Sequence, residues 1–211
     1  MKKNERALEI YARLAKRYPS PTPALTWSTP WELLVATALS AQCTDERVNK
    51  VTPIFFKRWP DIEDAANADV ADIEEIVRST GFFRNKAKNI KAAAHRIMTE
   101  YNGKVPQTMA ELITLGGVAR KTASIVLSNA FGVNEGIAVD THVKRLAFRM
   151  GLTTKTDPIP IEKDLMPLYP REQWGDINHY LVFYGRDVCP ARKPKCDICE
   201  LNDICPKKGV K

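Results

Sequence analysis

Four cysteines, Cys189, Cys196, Cys199 and Cys205, stand within one short segment, separated by six, two and five residues. The residues among them are prolines, lysines, arginines and other polar types, so Val188 to Lys208 cannot fold as an ordinary core element. Something else must hold this segment, and the spacing brings four sulfurs round a small inorganic centre. Disulfides are disfavoured, because the opening Met1-Lys2-Lys3-Asn4-Glu5 has no apolar signal core and implies a reducing compartment. Zinc ribbons usually present two close cysteine pairs, whereas only Cys196 and Cys199 form one here. The pattern favours a [4Fe–4S] cluster over zinc, with four thiolates as ligands and its binding free energy folding the loop. With every ligand position filled by protein, the metal is expected to be structural, with no iron open to a substrate. Cys43 is left over and reads as a small buried residue beside a helix end.

The remainder of the chain is dominated by helix formers, and stretches alternating with the period of a strand are short and scattered, so an all-α protein is expected. A first amphipathic helix carries Leu8, Tyr11, Ala15 and Tyr18 on one stripe, and Pro19-Ser20-Pro21-Thr22-Pro23 follows as a linker that cannot continue it. Thr29-Pro30-Trp31-Glu32 opens a second helix with a capping box, its apolar face holding Leu33, Leu34, Ala38 and Leu39. A third starts at Thr44 and is interrupted near Pro53; a fourth runs from about Asp69 to Ser79 and stops at Gly81, which opens a short exposed turn. A long helix spans Asn85 to Tyr101, and a second capping box, Thr108 with Glu111, starts a short one. An apolar helix follows from about Ala119 to Phe131, another opens at Asp140 and ends at Gly151, and two more reach Gly185.

The formal net charge of +7 and pI near 9.2 suit a polyanionic partner, since clustered lysines and arginines displace counterions from phosphates. Arg186, Arg192, Lys193 and Lys195 flank the first two cysteines and form a basic loop aimed at phosphates. No run approaches the roughly 18 apolar residues of a membrane span, the longest apolar-rich stretch being Leu33 to Ala41, so a soluble cytoplasmic, nucleoid-associated protein is expected.

Leu115-Gly116-Gly117-Val118-Ala119-Arg120-Lys121 places two glycines in a tight turn immediately before a helix. Such a start offers free backbone amides and the positive end of the helix dipole, which together hold a phosphate without reading bases. Lys121 lies in the first turn. An ordinary surface lysine is a poor nucleophile, but a helix N-terminus and partial burial both favour the neutral amine. Asp140 is expected to cap its own helix by accepting an amide of Thr141 or His142. A carboxylate fixed in this way also serves to stabilise positive charge at a sugar carbon and to move protons. His95 and His142 read as ordinary helix residues, His142 being the nearer to the site.

Leu115 to Ala123, Val139 to His142 and the spaced cysteines together resemble the endonuclease III family of the helix-hairpin-helix DNA glycosylase superfamily. Leu39-Ser40-Ala41-Gln42 with Thr44-Asp45, and Asn85-Lys86-Ala87-Lys88-Asn89-Ile90, also resemble it, so the likeness covers nearly the whole chain. The resemblance implies a two-lobed fold. A six-helix barrel lobe with the hairpin covers residues 24–134, and residues 1–23 with 135–211 form a second helical lobe ending in the iron–sulfur loop. It implies a bifunctional DNA glycosylase and abasic-site lyase, a monomer that excises oxidised pyrimidines from duplex DNA. Lys121 would attack C1′ and expel the base, and the Schiff base would lose the 3′ phosphate by β-elimination with help from Asp140. Gln42 would fill the gap left by the flipped base, and Phe82 would wedge the opposite strand. Gly117, Ala119, Arg120 and His142 would complete the contacts to DNA. Gly116, Ala119 and Phe82 stand where the family commonly has proline, glycine and leucine, and the loop from Gly132 to Gly136 is one residue longer. Two other functions fit parts of the pattern: an adenine glycosylase for mismatched purines, which typically lacks the lysine and carries a further recognition domain, and a non-catalytic DNA-binding module, which needs neither Lys121 nor Asp140.

Overall fold

The computed structural model describes residues 1–19 and 24–210, and residues 20–23 of the expected linker lie outside them. The described residues are helical, with no strand among them. They divide into two compact units, one of Pro23–Glu135 and one joining Met1–Thr22 to Gly136–Lys211.

The contiguous unit is built on α2 (Pro30–Leu39), whose residues from Leu33 to Leu39 are all buried except Ala38. A helix apolar on every side can lie only in a core, and each large side chain sequestered there contributes about 1.5–3 kcal/mol. Its start is the expected one, Pro30 at the first position and Thr29 accepting the Glu32 amide at 3.2 Å. The Glu32 carboxylate, however, accepts from the Ser28 amide rather than closing the box on Thr29.

The other helices of the unit are α3 (Asp45–Arg58), α4 (Ile62–Asn67), α5 (Val70–Val77), α6 (Phe83–Glu100), α7 (Met109–Leu112) and α8 (Arg120–Phe131), with α3, α6 and α8 packed on α2, α4 and α5 on α6, and α7 on α8. Two expectations fail here. The third helix is not interrupted at Pro53 but runs through it, because Val48, Val51 and Phe55 bury one continuous face that outweighs the roughly 3 kcal/mol cost of an internal proline. And α4, a single capped turn begun by Asp61 accepting from Asp64, was not expected at all. α6 starts two residues earlier than expected, directly behind Phe82.

The second unit holds α1 (Lys3–Arg17), α9 (Thr141–Arg149), α10 (Pro158–Leu165) and α11 (Trp174–Asp187). The buried stripe of α1 is Ala7, Ile10 and Leu14, with Tyr11, Ala15 and Tyr18 half-buried at its margin. Leu8, expected on that stripe, is 47% exposed, since it lies one position round from the buried row. The last long helix does not end at Gly185 but continues to Asp187. A Cβ at Gly185 would come within 2.8 Å of the His142 ring and 2.9 Å of the Arg145 guanidinium, so this glycine marks a close crossing of α11 on α9. No helix of the described residues is long and apolar enough to cross a membrane.

Candidate functional site

In the contiguous unit three turns carry the predicted DNA contacts. The first is the hairpin between α7 and α8. Gly117 has a left-handed backbone (φ +74°), and a Cβ there would overlap the Asn89 side chain at 2.5 to 2.9 Å, so only glycine fits. Gly116 has no such backbone requirement, but it lies against Asn89 and Ala92 of α6, where a Cβ would come to 3.2 Å of both. Ala119, in the place of the usual glycine, has φ −85° and ψ 166°, ordinary extended backbone that alanine adopts without cost. Neither Gly116 nor Ala119 strains the turn.

Ala119 is the N-cap of α8 and has no side chain able to accept the first-turn amides. Five of the unit's other α-helices are capped by a side chain, those of Thr29, Thr44, Asp61, Asp69 and Thr108; α8, with α6 behind Phe82, is not. An apolar cap leaves N–H groups and the positive helix end to an outside anion. Lys121 is the second residue of α8, and both it and Arg120 are exposed. The partial burial expected for Lys121 is absent, because the first turn of α8 projects from the core and packs only from Ala123 onward.

The other two turns hold Gln42 (φ 54°) and Phe82 (φ 48°), both left-handed and neither a glycine. Such backbone strain costs of order 1–3 kcal/mol per residue and persists where the surroundings enforce it. Phe82 is 65% exposed, an uncommon place for a phenyl ring, and Gln42 is exposed as well. Gln42, Phe82, Asn85, Lys86, Asn89 and Gly117 line one depression of about 250 Å³, so the three turns share a rim. A larger, apolar concavity of about 560 Å³ around Trp31, Ile62, Met98 and Phe131 contains none of the predicted contacts.

In the second unit Asp140 caps α9, but its carboxylate accepts from Val143 at 2.8 Å rather than from Thr141 or His142, the amide three residues on being the one an N-cap side chain reaches. Behind it, buried Asn178 donates to the Ala138 carbonyl at 2.6 Å and pins the segment leading to Asp140. His142 is half-buried with its Nδ1 3.1 Å from Arg145, and burial holds its imidazole below the usual range against the opposing pull of Asp140.

The cysteine segment is held by α9. Arg149, only 8% exposed, donates to the Pro190 and Ala191 carbonyls at 2.7 and 2.8 Å and to the Cys189 sulfur at 3.2 Å. One turn earlier Arg145 donates to the carbonyls of Gly185 and Cys189. From α11, the Tyr184 hydroxyl lies 3.0 Å from the Cys199 sulfur. Neither arginine was singled out in the sequence, since both read as exposed charges until the loop that they hold is in place. The four thiols line one small pocket floored by Met150, Tyr184 and Leu201. Four unpaired cysteines round one shared pocket supply the thiolate set that an iron–sulfur cluster takes. Arg186, Arg192, Lys193 and Lys195 are exposed, with Lys193 in a left-handed turn (φ 51°).

Comparison with known proteins gives the same picture. Residues 35–171 match the HhH-GPD superfamily base excision DNA repair protein model. Residues 188–205 match the iron-sulfur binding domain of endonuclease III, so this segment binds an iron–sulfur cluster. The chain is 57% identical to an endonuclease III of Synechocystis over 97% of its own length and 93% of the relative's. It is 42% identical to the Bacillus subtilis endonuclease III over 94% and 90%. A solved structure of a trapped endonuclease III–DNA covalent intermediate, an estranged-adenine complex, superposes with a TM-score of 0.92 at 39% identity, covering 98% of this chain and 97% of the other. The chain belongs to the endonuclease III family of the HhH-GPD superfamily, and it is a base excision repair DNA glycosylase.

Proposed function

We propose that the chain acts as a monomer on duplex DNA carrying oxidised pyrimidines or abasic sites, releasing the base and cutting the strand through a covalent enzyme–DNA intermediate. The observation that carries this reading is Lys121 in the first turn of a helix whose N-cap is alanine: an amine beside an open phosphate site. A phosphate seated on the first-turn amides brings the adjoining sugar to that amine. The Lys121 amine adds to C1′ as the C1′–N-glycosidic bond breaks, and the base leaves with a proton. The sugar ring of this adduct then opens: the C1′–O4′ bond breaks, O4′ takes a proton, and a protonated imine forms between C1′ and the lysine nitrogen. The imine loses a C2′ proton, and the C3′–O bond breaks, so that the 3′ phosphate departs with the electron pair. Asp140 stabilises the developing positive charge and carries protons, its orientation fixed by the Val143 amide and by Asn178 behind. A lysine and an aspartate in these places favour this reading over a non-catalytic DNA binder, and the lysine favours it over an adenine glycosylase.

Gln42 and Phe82 enter the helix where the damaged nucleotide has swung out, Gln42 into the gap and Phe82 against the opposite strand. Their left-handed backbones and the exposure of the ring support this role. Gly117, Ala119 and Arg120 hold phosphate at the hairpin, and His142, Arg186, Arg192, Lys193 and Lys195 add contacts to the backbone. Cys189, Cys196, Cys199 and Cys205 hold the cluster, a [4Fe–4S] centre that keeps the basic loop in shape. The likeness to an endonuclease III trapped on DNA supports the covalent route.

The test is borohydride trapping on an oligonucleotide with one oxidised pyrimidine. Wild type is expected to give a covalent adduct and Lys121→Ala none, with strand scission reduced on the order of 10⁴-fold or more, as when a nucleophile is removed. Equal scission by the two proteins would remove Lys121 from the reaction.

A further inference from the structure

Lys86 is a buried lysine whose ammonium is held by backbone rather than by a carboxylate. It is 6% exposed, and it donates to two main-chain carbonyls, those of Leu39 at 2.8 Å and Thr80 at 2.7 Å. Buried lysines are rare because the ammonium loses its hydration, and here burial lowers the Lys86 pKa from its ordinary value. The two carbonyls explain why the cost is borne. Leu39 is the last residue of α2, three before Gln42; Thr80 ends the 3₁₀ turn Arg78–Thr80, two before Phe82. These are terminal carbonyls that helix ends leave unpaired, and a single cation satisfies one from each. α6, which carries Lys86, starts directly behind Phe82 and also packs through Asn89 under Gly117.

We propose that Lys86 is a positioning residue that ties the Gln42 turn to the Phe82 turn, so that the two strained turns enter DNA as one preset wedge. This rests on the reading that both turns insert into the duplex. The geometry requires three things of the residue: reach from α6 to two carbonyls, more than one donor, and charge enough to hold strained backbone against relaxation. Without the tie, each turn relaxes by itself, and the ordering has to occur on DNA at the expense of the insertion step.

The experiment uses a duplex carrying an uncleavable tetrahydrofuran abasic analogue opposite 2-aminopurine, whose fluorescence rises when the base is pulled out of the stack. Wild type is expected to raise the signal, and Lys86→Met to lose most of that rise. Lys86→Arg, which keeps charge and several donors, is expected to restore at least half. In parallel, single-turnover cleavage of an abasic site in duplex DNA should fall at least about 10-fold in Lys86→Met, while cleavage of the same site in single-stranded DNA stays within about twofold. Equal loss on both substrates, or no loss of fluorescence, overturns the proposal, because a merely structural lysine would lower both rates together with the melting temperature. If Lys86→Met does not fold, Lys86→Gln, which keeps a neutral donor, is read by the same two ratios. A wild-type protein that gives no fluorescence rise would refute insertion itself, whereas a wild type that does and a Lys86→Met that matches it would refute the tie alone.

Discussion

The two helix starts that carry the proposed reacting groups are built in opposite ways. α9 is closed by its own residue: the Asp140 carboxylate accepts the Val143 amide, and Asn178 fixes the chain before it. α8 is left open, with alanine at the cap and a left-handed glycine two residues earlier. The contrast separates two demands. A group that must hold its charge in one place is immobilised by spending a backbone donor on it; a site that must receive a phosphate keeps its donors free. A chain selected for stability alone would have capped both.

The largest effect expected from breaking this contrast is at Asp140. Asparagine caps helices about as well as aspartate, so Asp140→Asn should leave the melting temperature within a degree or two while lowering single-turnover base release about 10²–10⁴-fold, the usual range for a lost acid–base group. Asp140→Ala should lose the same activity and, in addition, about 1 kcal/mol of stability in chemical denaturation. If both variants lose activity only in step with stability, the carboxylate is a cap and nothing more. A smaller effect is expected at Gly117, where alanine meets both a disfavoured backbone and the Asn89 side chain. Gly117→Ala should weaken binding to an uncleavable abasic duplex by the equivalent of about 1–3 kcal/mol, with Gly116→Ala milder because its contacts can give by a few tenths of an ångström. Equal affinities for the two would show that the turn's shape does not matter to DNA. The smallest and most pointed change is Ala119→Ser, which supplies the missing cap. It should raise stability by about 0.5–1 kcal/mol and weaken DNA binding at the same time, because the serine oxygen competes with phosphate for the Thr122 amide. A serine variant that binds DNA more tightly would contradict the open-start reading.

Much of this was legible from neighbouring residues alone. The caps at Thr29, Thr44, Asp69, Thr108 and Asp140 are local chemistry, and each is a short polar residue whose side chain reaches an amide two or three residues on. Cysteine spacing and the glycine pair are equally local, which is why the iron–sulfur segment and the hairpin are recognisable from the order of residues. What could not be read depends on contacts distant in sequence. Lys86 sits among polar residues and reads as surface until its two carbonyls, one of them 47 residues away, are brought to it. Arg149 reads as the end of a helix until the loop 40 residues later folds beneath it. Pro53 breaks a helix on propensity but not when Val48, Val51 and Phe55 bury a shared face across it. Gly185 looked like a stop and proved to be a crossing point, because the need for a missing Cβ lies in the partner helix rather than in its own.

The division of the chain also orders events at the ribosome. Residues 23 to 135 form their unit from one unbroken stretch, and nothing in its core waits for later sequence. The other unit must join α1 to segments that emerge well over a hundred residues afterwards, through Arg13 with Asp203 and Arg17 with Glu200. The hairpin half can therefore fold during translation, while α1 waits unpaired until the polypeptide is nearly finished. The four cysteines all lie beyond residue 188, so iron and sulfide find their ligands only after the whole of the contiguous unit has been made.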